Sequence, residues 1–167
     1  MFDSAGPSAF PQTCKNNYLQ GVLNTKIAML YLEVLSPTLT FEAGKLELIP
    51  YQPADEQTVD SIDELVDENI SLSRQDWDAH ETSWDFRENE LVRLSKEGEG
   101  SHSLKDLMDK YKDEWTAKFM RLHANEEELN RQFIEIYGLE DELTPDVPLD
   151  EVTILQAGEI SIEEDGL

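Results

Sequence analysis

The sequence predicts a mainly α protein: a small α/β N-terminal piece, then a long antiparallel helical hairpin or bundle, then an extended acidic tail. Three observations carry this. Apolar residues recur every three or four positions over three long stretches, which is the signature of one buried helical face. A single short stretch alternates apolar and polar residues instead. Beyond Gly138 the chain has Pro145 and Pro148 and no Lys or Arg.

The first helical stretch runs from Asn16, with Leu19, Val22, Leu23, Ile27, Leu30, Tyr31 and Val34 on one face until Pro37 stops it. In "TLTFEAGKLELIPY", Leu39 and Phe41, then Leu46 and Leu48, alternate with polar residues around Ala43-Gly44. That pattern predicts a short strand pair closed by Pro50 and Pro53. Val59, Ile62, Leu65, Val66 and Ile70 restore helical spacing over 55–70. Ser73, with Asp76 three residues on, resembles a capping box that starts another helix, and Trp77 and Trp84 are spaced to share a face. "SKEGEGSHS" is an exposed loop, and Ser103 is placed to cap a long helix through Tyr137. Its apolar stripe lapses between Leu122 and Leu129, where Asn125 and Glu126 occupy inward positions. A bend or a second helix capped by Asn125 is expected there. Gly138 ends that helix, and Val152, Ile154 and Leu155 are placed to dock as a short strand. The expected organisation is 1–54 as a helix with a strand pair, 55–138 as a helical scaffold and 139–167 as an acidic tail.

Of 167 residues, 37 are acidic and 13 basic, giving a formal charge of -24. Lys and Arg contacts to phosphates dominate nucleic-acid affinity, so this chain alone is not expected to grip DNA. Cys14 is the single cysteine, which rules out an internal disulfide and a cysteine-based zinc site. The N-terminal "MFDSAGPSAFPQ" has no basic and apolar signal-peptide pattern. No apolar run reaches the roughly 18 residues of a membrane span. A cytoplasmic protein without membrane contact is expected.

The sequence carries no recognisable motif for chemistry. The chain has no glycine-rich phosphate loop, no C-x-x-C and no H-E-x-x-H. His80, His102 and His123 lack metal-ligand spacing. Acid pairs such as Asp76 and Asp78, or Glu126 to Glu128, arise by chance at this acid content. Trp77, Trp84, Phe86, Tyr111, Trp115, Phe119, Phe133 and Tyr137 are expected in cores rather than stacked on bases. No catalytic, cofactor-binding or metal-ligating residue is assigned.

The segment "FDSAGPSAFP…NNYLQGVLNTKIAMLYLEVLSPTLTFEAGKLELIP" resembles the part that follows the catalytic domain in large adenine-specific DNA methyltransferases of the BREX phage-defence and type IIG restriction-modification kind. "ISLSRQDWDAHETSWDF" and "ANEEELNRQFIEIYGLEDELTPDVPLDEVTI" resemble the helical stretches that come next in those proteins. In that family a Rossmann-like domain binds S-adenosylmethionine, and N-P-P-Y holds an adenine flipped out of the stack for methylation. This chain has neither N-P-P-Y nor the F-x-G-x-G cofactor loop. The family's N-P-T-L-N-F stands here as Ser36-Pro37-Thr38-Leu39-Thr40-Phe41, without its two amides. "LNTK", Leu23 to Lys26, corresponds to the helix closing a target-recognition unit, with Asn24 and Lys26 outward.

The resemblance implies a non-catalytic segment that joins methyltransferase and target recognition. S-adenosylmethionine then belongs to the parent protein and no cofactor to this chain. Its partners would be the parent's catalytic and target-recognition domains, with DNA reached only through the parent; isolated, the segment is able to pair with a copy of itself. The alternative is a stand-alone acidic interaction protein such as a DNA mimic.

Overall fold

The computed structural model describes residues 9–12, 14–35, 43–97 and 103–155, and among them the chain is helical with no β-strand. Six α-helices follow in order among these residues: α1 Asn16–Leu23, α2 Lys26–Leu35, α3 Ala43–Leu46, α4 Glu56–Asp78, α5 Glu90–Glu97 and α6 Leu104–Tyr137, with a 3-10 turn at Leu149–Glu151. None is long and apolar enough to cross a membrane. The chain folds as two compact units. One comprises Met1–Asp67 and Glu126–Asp146, the other Glu68–Asn125 and Val147–Leu167.

In the first unit, the single helix expected from Asn16 is two. Asn24 and Thr25 break it, and the buried Thr25 hydroxyl donates to the Val22 carbonyl at 2.7 Å. The break resets the helical phase. Tyr18, Val22, Ile27, Ala28 and Leu32 face inward, whereas Val34, expected on the buried stripe, is 78% exposed. The strand pair expected around Ala43-Gly44 is also corrected. Leu46 ends the short helix α3 and Leu48 lies in the turn after it, while residues 36–42 fall outside the described part. So short an alternation does not separate period two from a helical turn.

The core of this unit centres on Phe133, which is fully buried, with the Tyr18 ring edge-on at 5.2 Å. Gly21 lets α1 come close: a Cβ there would lie 3.1 Å from Phe133 Cε2 and 3.3 Å from Ile62 and Val66 methyls. Asn130, also buried, ties three segments. Its Oδ1 accepts the Lys26 N–H at 3.0 Å and its Nδ2 donates to the Pro145 carbonyl at 3.2 Å. The first bond satisfies one of the N–H groups left open at the start of α2.

In the second unit, Leu72, Phe119, Leu122, Val152 and Ile154 form a buried cluster with Val147, Leu149 and Leu155 packed against it. The tail therefore docks by its apolar residues, through a 3-10 turn and extended backbone rather than as a strand. Leu72 also explains why Ser73 does not start a helix. It carries the buried stripe of α4 onward. A serine inside a helix is a small penalty against that, about 0.5 kcal/mol relative to alanine.

Helix α6 has both expected ends. Ser103 and Asp106 exchange backbone-to-side-chain bonds at 3.1 Å and 3.2 Å, a reciprocal cap. At the other end Gly138 has a φ of 65°, its N–H reaching the Glu135 carbonyl and the Leu139 N–H reaching the Ile134 carbonyl. A left-handed glycine is a common helix terminator. The expected second start at Asn125 is corrected, because α6 runs through it for 34 residues. At the usual helical rise that is a length of roughly 50 Å. Asn125 is buried because its amide donates to Glu68 and Asn69, each at 2.9 Å. Glu126 to Glu128 are accordingly mid-helix, not an N-terminal turn.

Candidate functional site

Among the described residues, the histidines and the acids Asp76, Asp78 and Glu128 each have a structural partner. His80 Nδ1 lies 2.7 Å from the Asp76 carbonyl, and His123 Nε2 lies 2.7 Å from that of Val147. His102 is outside the described residues. Asp76 Oδ1 accepts the Leu155 N–H at 3.0 Å, whereas Asp78 Oδ1 accepts the Ser83 hydroxyl at 2.7 Å. Glu128 binds Arg131 and Gln132, and the Arg131 guanidinium holds its carboxyl below the usual range. No group of three or more His, Cys, Asp or Glu among the described residues is placed to hold a metal ion. Asn24 is exposed as expected, but Lys26 is half-buried.

The strongest electrostatic feature lies on α5. Arg93 forms ion pairs with Glu90 at 2.9 Å, Glu97 at 2.8 Å and Glu114 at 2.8 Å. Burial pushes the Glu90 carboxyl up, but Arg93, helped by the Trp115 N–H and Lys118, outweighs it and leaves the group below its ordinary value. Lys118 in turn sits 4.1 Å over the buried Trp115 ring, a cation–π contact. This knot fixes α5 against α6 and occupies the guanidinium with carboxylates. In the first unit, Lys15 bridges Asp60 and Asp63 at 2.8 Å and 2.6 Å, and those bonds raise its pKa. Arg121 likewise pairs with Glu68 in the second. These cations are thus engaged by the chain's own acids.

The aromatic residues divide. Trp115, Phe119 and Phe133 are buried; Phe86, Tyr111 and Tyr137 are half-buried. Trp77 and Trp84 contradict the expected packing. Trp77 is 59% exposed at the end of α4, and Trp84 is wholly exposed in the turn that follows.

No family model matches the chain. It is 35% identical over 158 residues to the adenine-specific methyltransferase PglX of Lacticaseibacillus casei strain Zhang, covering 94% of this chain and 13% of that protein. It is 25% identical over 150 residues to the adenine-specific methyltransferase BrxX of Escherichia coli O9:H4 strain HS, covering 86% of the chain and 11% of that protein. The chain is a homologue of part of these adenine-specific methyltransferases. It spans only a small fraction of the length of either one.

Proposed function

We propose that this chain is the counterpart of a non-catalytic scaffold segment of a PglX-type adenine-specific methyltransferase, of the BREX phage-defence kind, that joins the catalytic part to target recognition. In this reading the parent protein binds S-adenosylmethionine and methylates adenine in DNA, while this segment sets the spacing between the parts that do so. The observation that carries it is helix α6. It is capped at both ends and runs without interruption for 34 residues, Leu104 to Tyr137. A helix is stiff along its axis, which suits a spacer. The paired cations and the charge of -24 support DNA contact through the parent's other domains rather than through this segment. The homologous match along nearly the whole chain supports this reading over an independent DNA mimic.

Deleting the stretch of L. casei PglX that matches residues 103–137 should abolish target-specific adenine methylation, scored by sequencing of modified bases. Full retained methylation would sink the proposal.

A further inference from the structure

We propose that the turn carrying Trp84 is a docking site for a basic, apolar-faced protein segment supplied by a polypeptide other than this chain. Trp84 is the most exposed large apolar side chain among the described residues, and Trp77, seven residues earlier, is largely exposed as well. Indoles bury large areas when covered and are enriched where binding energy concentrates. An exposed pair on one short segment therefore marks a contact surface.

The turn is held rigidly. Ser83, itself buried, donates its hydroxyl to Asp78 at 2.7 Å and accepts the Asp85 N–H at 3.0 Å, which fixes the backbone on both sides of Trp84. The Ser83 N–H reaches the His80 carbonyl at 3.0 Å, and the His80 ring is bonded back to Asp76. A loop ordered in advance loses little conformational entropy when a partner covers it. The same segment also borders a hollow of 290 Å³, where Ala79 and His80 face Leu91, Met108 and Tyr111. It is wide enough for one apolar side chain of the partner.

Charge selects the occupant. Between positions 76 and 90 there are six acids, Asp76, Asp78, Glu81, Asp85, Glu88 and Glu90, against Arg87 alone. Glu88 and Glu90 are engaged by Lys96 and Arg93, whereas Glu81 and Asp85 stand exposed on either side of Trp84. Duplex DNA is repelled by such a rim, and so is a second copy of a chain with net charge -24. A Lys or Arg side chain gains twice, from the carboxylates and from the indole face.

The test uses the full chain and a fluorescein-labelled amphipathic leucine–lysine peptide, followed by anisotropy. Trp84→Ala should weaken binding by about tenfold or more, the range of an interface anchor, with an unchanged circular dichroism spectrum because the side chain stands outside the core. Val34→Ala, also strongly exposed but on α2, should leave binding unchanged. Glu81→Gln with Asp85→Asn should weaken it more than Glu47→Gln with Glu56→Gln, although both pairs remove the same charge. The proposal is overturned if Trp84→Ala binds as the parent chain does, or if the two charge pairs weaken binding equally. It is also overturned if a leucine–glutamate peptide or duplex DNA competes as well as the lysine peptide, or if Trp84 proves to be covered by self-association of the chain.

Discussion

The close approach of α1 to Phe133 gives a size-swap prediction. Gly21→Ala puts a methyl 3.1 Å from Phe133 Cε2 and 3.3 Å from the Ile62 and Val66 methyls, distances at which the neighbours must yield. Overpacking of this kind costs about 1–3 kcal/mol. Replacing an interior helical glycine by alanine returns about 1 kcal/mol. The net expectation is a loss of about 0–2 kcal/mol, combining those two ranges. Phe133 is fully buried, and Phe133→Leu removes the ring carbon that makes the tightest contact. As a partial truncation it should by itself cost about 1–2 kcal/mol. In the Phe133→Leu background, Gly21→Ala should become neutral or stabilising. The coupling in the four-variant cycle should then be about 1 kcal/mol, well outside the ~0.3–0.5 kcal/mol scatter of independent sites. Urea unfolding of the four chains measures it. Additive effects would refute the packing of α1 against α6 described above.

Three further outcomes follow from single residues. No other atom lies near a carbon added at Gly138, so Gly138→Ala should destabilise by about 1–2 kcal/mol, the penalty of the left-handed conformation for a residue with a Cβ; a neutral result in urea unfolding would contradict the helix end. Asn130→Leu leaves the Lys26 N–H and Pro145 carbonyl without their partner. It should cost about 1–3 kcal/mol, with amide exchange at Lys26 accelerated. For Glu90, whose folded pKa is depressed, the stabilisation is full above the ordinary carboxyl value of about 4.3 and is lost as pH falls through the lower folded value. Arg93→Met removes the charge responsible and leaves the burial, so acid unfolding, followed by circular dichroism, should begin at higher pH; an unchanged acid limb would refute the assignment.

Much of the helical frame is legible because its signals are local. The reciprocal bonds of Ser103 and Asp106, the φ of Gly138, and the helical stripe through Leu107, Trp115, Phe119 and Leu122 all depend on residues within a turn or two of one another. Misreadings occur where a distant partner decides. Asn125 resembles a helix start because the apolar stripe lapses there and Glu128 stands three residues on, yet Glu68 and Asn69, more than fifty positions away, supply acceptors that let α6 continue. Ser73 has the spacing of a cap, but Leu72 finds Phe119 and Leu122 and holds α4 in register. The break at Thr25 escapes the pattern because residues on both sides of it remain apolar. The display of Trp84 is not legible in the sequence. Its spacing from Trp77 matches core packing, and the Ser83 to Asp78 bond sets the turn that presents it to solvent.

The scaffold account is tested most directly by two chimeras of L. casei PglX in which this chain replaces its homologous stretch, one intact and one with Asn130→Pro. An interior proline breaks a helix at about 3 kcal/mol or more, so the substitution is aimed at the continuity of α6. S-adenosylmethionine affinity and adenine methylation are measured on both. The account predicts equal cofactor affinity in the two proteins, with site-specific methylation in the intact chimera and none in the proline variant. Methylation that survives the proline, or cofactor binding that is lost with it, would contradict a spacer that acts apart from the chemistry.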